Sequence, residues 1–139
     1  MQTISANAAH LRIAIARTAR RLRQEAGGGL SPSLTAALAT VETHGPLTPS
    51  ELAARERIQR PTATRIVARL EEAALITRTP DPTDRRSSLL AVSPEGRALL
   101  KELRTRKDAF LAERLRRLSP EDRATLDRAA DILEELLEA

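Results

Sequence analysis

The sequence predicts a mainly α-helical fold with one small β-hairpin, on three observations. Ser/Thr-Pro pairs recur at Ser31-Pro32, Thr48-Pro49, Ser93-Pro94 and Ser119-Pro120, each offering a side-chain oxygen as an N-cap and a proline at the first helical position, where its missing N–H costs nothing. Apolar residues elsewhere follow a helical period. Only Ile76 to Thr79 and Ser88 to Val92 read as strands, with turn-forming residues between them. At 139 residues the chain has one domain's length.

The first helix runs from about Ile4 to Ala26 and stops at Gly27-Gly28-Gly29. A second opens at Pro32. The third, about 49 to 57, has the fullest start signal: Thr48 and Glu51 form a capping box, and Leu47 and Leu52 occupy the hydrophobic-staple positions. A fourth, about 61 to 74, opens at Pro61 and carries Ile66, Val67, Leu70, Ala73 and Ala74 on one stripe, with Pro61, Thr64, Arg65, Ala68 and Glu72 opposite. The connection Ile58-Gln59-Arg60 is short enough for a helix-turn-helix, and the hairpin, with an eight-residue connection from Pro80 to Ser87, would be its wing. A long helix from Pro94 to about Arg117 and a last one from Pro120 complete the order.

Composition excludes several classes. Without cysteine the chain has no disulfide, cysteine-ligated zinc, iron–sulfur cluster or thiol sensor, and His10 and His44 are the only soft metal ligands. One Phe and no Tyr or Trp leave almost nothing to stack on unpaired bases, against a single-strand or RNA reader. The longest uncharged stretch, Ala26 to Val41, is too short and too broken by glycine and proline to span a bilayer. The N-terminus lacks the pattern of a secretory signal, so a cytoplasmic location without membrane association is expected. Nucleophile–base pairs, paired carboxylates and metal-ligand spacings are not evident, so no catalytic residue, metal or cofactor is expected. His44 beside Gly45 suits a cation at a helix C-terminus.

The net charge of +4 is unevenly spread. Between residues 55 and 69, Arg55, Arg57, Arg60, Arg65 and Arg69 face only Glu56. A cluster of that kind at the start of a helix meets a polyanion, aided by the helix's positive end. The outward face near Thr64, Arg65 and Ala68 is narrow enough for a major groove about 12 Å wide, where Arg65 would read guanine and Pro61, Thr62 and Thr64 would touch base edges or thymine methyls. Arg69, displaced toward the buried side, would hold the wing or a phosphate. At the wing tip, Arg85 and Arg86 would reach an adjacent minor groove, with Asp84 orienting a neighbouring arginine.

The terminal helices add a second theme. Ile4, Ala8, Leu11, Ile15 and Leu22 recur at near-heptad spacing, as do Leu126, Ala130, Leu133 and Leu137, and such stripes call for a partner across a two-fold axis. Ile4, Leu11, Ile15, Leu126, Leu133 and Leu137 are the candidate dimer contacts. An intramolecular bundle is the alternative use of the same stripes.

Together and in this order, Leu47-Thr48-Pro49-Ser50-Glu51-Leu52-Ala53, Pro61-Thr62-Ala63-Thr64-Arg65-Ile66-Val67-Ala68-Arg69-Leu70-Glu71, Leu75-Ile76-Thr77-Arg78 and Asp81-Pro82-Thr83-Asp84-Arg85-Arg86-Ser87 resemble the MarR-type winged helix-turn-helix transcriptional regulators. The resemblance covers essentially the whole chain. It implies an obligate homodimer that binds a pseudo-palindromic operator in double-stranded DNA, usually as a repressor, with release by a small, often aromatic or phenolic effector. Thr62, Thr64 and Arg65 are carried over to the major groove and Arg86 to the wing tip. It also implies one domain over 1–139, with 1–46 and 94–139 mainly dimerisation helices and 47–93 the DNA-binding lobe. Two positions depart from the pattern. Ala74 stands where glycine is common, so the fourth helix must close without it, and Phe110 is the only aromatic for an effector pocket. A winged-helix protein-interaction module without specific DNA binding is the alternative reading.

Overall fold

A computed structural model of the chain describes residues 3–138. The elements run α1 (Ile4–Ala26), α2 (Pro32–His44), α3 (Pro49–Glu56), α4 (Arg60–Glu72), β1 (Ile76–Asp81), β2 (Asp84–Val92), α5 (Pro94–Arg116) and α6 (Pro120–Glu138). They fall into two compact units. Ala26–Thr105 form one; Met1–Glu25 and Arg106–Ala139 belong to the other. In the first, α2 packs its buried Ala37, Leu38 and Val41 into the same core as α3, α4 and β2.

The proline-marked starts cap as their residue types dictate. Ser31 accepts the Leu34 N–H at 3.2 Å, Thr48 that of Glu51 at 3.1 Å, Ser93 that of Gly96 at 3.0 Å and Ser119 that of Asp122 at 3.1 Å. The core of the first unit holds Leu38, Leu47, Leu52, Val67, Leu70, Leu90 and Leu100, all fully enclosed. Each such side chain contributes about 1.5–3 kcal/mol by leaving water. On α4 the buried stripe is Ala63, Val67 and Leu70, with Ile66 half-buried. The expected Ala73 and Ala74 are exposed, because α4 ends at Glu72 and the backbone turns away there.

Both helices of the helix-turn-helix close through left-handed residues that are not glycine. After α3, Arg57 (φ 54°) donates its N–H to Ala54 O at 3.2 Å, and Ile58 donates to Ala53 O at 3.0 Å. After α4, Ala74 (φ 60°) donates to Glu71 O and Leu75 to Leu70 O, both at 2.9 Å. These are Schellman closures, each satisfying two terminal carbonyls, and the second is fixed by contact among Leu70, Leu75 and the core. A side chain in this region is disfavoured by about 1–2 kcal/mol. Ala74→Gly is therefore expected to stabilise the fold by about 1 kcal/mol, part of the relief being offset by the freer unfolded chain. Urea unfolding measures this, and an unchanged or lower midpoint would refute it.

The wing differs from expectation in its strand lengths. β1 and β2 pair antiparallel from Ile76↔Val92 to Asp81↔Asp84, leaving only Pro82 and Thr83 between them. The expected eight-residue connection thus shrinks to two. The turn is held by side chains: Asp81 accepts the Thr83 N–H at 2.9 Å and its hydroxyl at 2.8 Å. The Thr83 N–H, and then its hydroxyl, hold the Asp81 carboxyl below its usual range. This support is therefore complete above that range and is lost as the pH falls through the depressed value.

In the second unit, α1 is exposed along almost all its length, and α6 contains no buried residue. Ile4 is 88% and Leu137 81% exposed, with Leu11, Ile15 and Leu126 at 44–49%; Leu133 is half-buried. No helix among the described residues is long and apolar enough to cross a membrane.

Candidate nucleic-acid interface

The site grows from the way α4 is seated. Ala63, Val67 and Leu70 fix its inner face in the core, so Pro61, Thr64, Arg65 and Ala68 point outward and Thr62 is half-buried beside them. Gln59 is the N-cap residue but makes no side-chain cap bond. The first turn of α4 is therefore left without a side-chain cap from this residue. Neither Thr62 nor Thr64 caps: Thr64 returns its hydroxyl to Arg60 O at 3.0 Å, and Thr62 accepts a long contact from Arg65 Nη2 at 3.4 Å. Arg60 donates to Ser50 Oγ, tying the start of α4 to the start of α3.

Arg69 is exposed rather than displaced inward. It lines a shallow cleft of about 200 Å³ with Arg65, Thr62, Ser31 and Ser33, so it faces the start of α2 and not the wing. The wing is instead held by Arg78 on β1. Its guanidinium donates to Glu71 of α4 at 2.5 and 3.2 Å and to Ser88 of β2 at 2.9 Å. The Glu71 bond raises the Arg78 pKa further above its usual value, so this guanidinium stays charged at any ordinary pH. Sequence reasoning missed this pair. The only signal was an acid and an arginine seven residues apart on adjoining elements.

Arg85 and Arg86 are exposed on β2 immediately after the turn. Asp84 does not grip a neighbouring guanidinium as expected; its carboxylate accepts the backbone N–H of Arg86 at 2.9 Å. The short turn explains the change. Asp84 begins β2, so its side chain folds over the next two residues and fixes the backbone that carries Arg86. The first unit thus brings together two exposed basic features, the α4 face and the wing tip, joined through Glu71, Arg78 and Ser88.

Behind both lies Ser93. It is 4% exposed, donates its hydroxyl to Ala74 O at 2.6 Å, accepts the Gly96 N–H, and donates its backbone N–H to Leu75 O at 3.0 Å. One small side chain thereby joins the end of α4 to the start of α5.

Residues 30–88 match the MarR family. An HTH-type transcriptional regulator of Mycobacterium leprae is 38% identical over 132 residues, spanning 94% of this chain and 92% of that protein. The HTH-type transcriptional repressor MdtR of Bacillus subtilis is 32% identical over 111 residues, 80% of this chain and 70% of its own length. A solved structure from Pseudomonas aeruginosa, described as a transcriptional regulator protein, superposes with a TM-score of 0.87 at 32% identity and covers 99% of both chains.

Proposed function

The chain belongs to the MarR family of DNA-binding transcriptional regulators, and from that premise we propose that it is a homodimeric repressor of a pseudo-palindromic operator. In this reading α4 enters the major groove and the wing tip the adjacent minor groove. The observation that carries it is the outward face of α4, where Thr64, Arg65 and Ala68 are exposed over a fully buried stripe. Arg65 reads a base edge; Thr62, Thr64 and Pro61 supply shorter contacts; Arg60 and Arg69 neutralise phosphates; Arg85 and Arg86 occupy the minor groove. Two recognition helices one DNA turn apart require a symmetric partner. The exposed apolar residues of α1 and α6, including Ile4, Leu11, Ile15, Leu126 and Leu137, support one. MdtR, similar in sequence, is named a repressor. Release by a small-molecule effector, and a cytoplasmic location, complete the reading.

The test is a fluorescence-anisotropy titration against a duplex from the gene's own upstream region and a scrambled duplex, at two salt concentrations. Salt-sensitive binding with at least about a thousandfold preference for the native duplex is expected. Equal weak binding to both, followed by a random-sequence selection that enriches nothing, would overturn the reading. In the same assay Arg86→Ala should weaken binding more on AT-rich than on GC-rich flanks, because the narrow AT-rich minor groove concentrates negative potential. An equal loss on both would make Arg86 a phosphate contact.

A further inference from the structure

The start of α2 meets the outward face of α4 in the cleft of about 200 Å³, within the first unit. Arg65 and Arg69, one helical turn apart on α4, line it from one side, and no acidic side chain lines it from any. Arg69 forms no ion pair among the described residues, and the contact of Arg65 there is the long one to Thr62. The cleft thus holds two cations with no anion to meet them.

Three hydroxyls line the same cleft, and they are differently engaged. Ser31 Oγ accepts the Leu34 N–H at 3.2 Å, and Thr62 Oγ1 accepts from Arg65 Nη2 at 3.4 Å. Ser33 is exposed, and its hydroxyl forms no hydrogen bond among the described residues. The chain that leads to it is also open. Gly27, Gly28 and Gly29 are exposed with φ of 64°, 93° and 73°, and Ser31 is extended with ψ 160°. An enzyme that takes its substrate as an exposed, extended segment can draw this stretch into its own groove.

We propose that Ser33 is a phosphorylation site whose phosphate is held across the cleft by Arg65 and Arg69, which withdraws both from DNA. A protein serine/threonine kinase supplies the step. Ser33 Oγ attacks the γ-phosphorus of a nucleoside triphosphate, and the new O–P bond replaces the one to the β–γ bridging oxygen. The nucleoside diphosphate leaves, and the hydroxyl proton passes to the kinase's base. The product carries about −1.5 to −2 charges at neutral pH and three strong acceptor oxygens. Opposite two arginines it forms charge-assisted, paired hydrogen bonds that a lone hydroxyl cannot. The inference rests on the DNA-binding reading of α4 above and deepens it by naming a regulation of that surface.

The test uses the full chain with phosphoserine incorporated at position 33, the same sample after phosphatase treatment, and the unmodified chain. By ³¹P NMR the phosphate of the folded chain should titrate at lower pH than in the urea-unfolded chain, because the arginines favour its dianion. Arg65→Gln with Arg69→Gln should move that titration back to the unfolded value. In fluorescence anisotropy, the phosphorylated chain should bind the native duplex about tenfold or more weakly and lose preference for it over the scrambled duplex. Phosphatase should restore both. Mass spectrometry of the chain isolated from its own cells should find phosphate on Ser33. A titration equal to that of the unfolded chain, or one unmoved by the double arginine change, would overturn the seat. Unchanged DNA binding after phosphorylation would overturn the switch, and an unmodified Ser33 through all growth phases would overturn the modification. Failure of the unmodified chain to prefer any duplex would remove the DNA reading itself, while the ³¹P titration would still decide the seat.

Discussion

Replacing Arg65 by alanine is expected to cost about 1–3 kcal/mol on the cognate duplex and to flatten the sequence preference at the base pair it contacts. The side chain is exposed on α4 and donates to Thr62 Oγ1 at 3.4 Å, a contact itself at the surface, so its removal opens no enclosed cavity and leaves no buried group unpaired. Urea unfolding should be nearly unchanged, which separates this effect from misfolding. The guanidinium matters through its shape, since its planar fork matches the two acceptors of guanine in the major groove. Arg65→Lys keeps the charge but not the fork, so it should recover non-specific binding and not discrimination. Titration of both variants against the native duplex and single-base variants decides the matter. An equal loss on every duplex, with the salt slope reduced by about one, would make Arg65 a phosphate contact.

How much of this was legible in the sequence follows the range of the forces involved. The caps at Ser31, Thr48, Ser93 and Ser119 were legible because cap and recipient are three residues apart and proline marks the next position. The outward face of α4 followed from the apolar period, though its end was misplaced by two residues. Ala73 and Ala74 have helical propensity, and nothing local announced that Ala74 would adopt φ 60°. The wing turn was misjudged for a related reason. Six of the eight residues 80–87 are turn formers, and the bond from Thr83 to Asp81 holds the two-residue version. The Glu71–Arg78–Ser88 tie and the second bond of Ser93, to Ala74 O, were illegible because they join separate elements. Arg65, Arg85 and Arg86 stood out early because exposed function needs charge rather than burial.

The second large effect is expected at Leu90. Leu90→Ala should destabilise the fold by about 2–5 kcal/mol, a large share of the 5–15 kcal/mol typical of a domain of this size. Its side chain is fully enclosed and belongs to the same cluster as Leu38, Val41, Leu52 and Leu70. Its backbone does separate work. It pairs with Arg78 across the hairpin on one side; on the other it donates to Leu47 O at 2.8 Å and accepts the Leu47 N–H at 3.1 Å. That isolated bridge at Leu47, at the entrance to α3, fixes the wing to the helix-turn-helix. A two-stranded hairpin is marginal on its own, so the wing depends on this attachment. Truncation leaves the bridge atoms in place but opens a cavity beneath them. The midpoint of urea unfolding should fall, and proteolysis under native conditions should cut first near residues 81–86, where the wing is exposed. If stability fell but the wing stayed protected, the Leu47 bridge alone would be sufficient to hold it, and Leu90 would act only as a core residue. A loss below about 1 kcal/mol would contradict the enclosed packing.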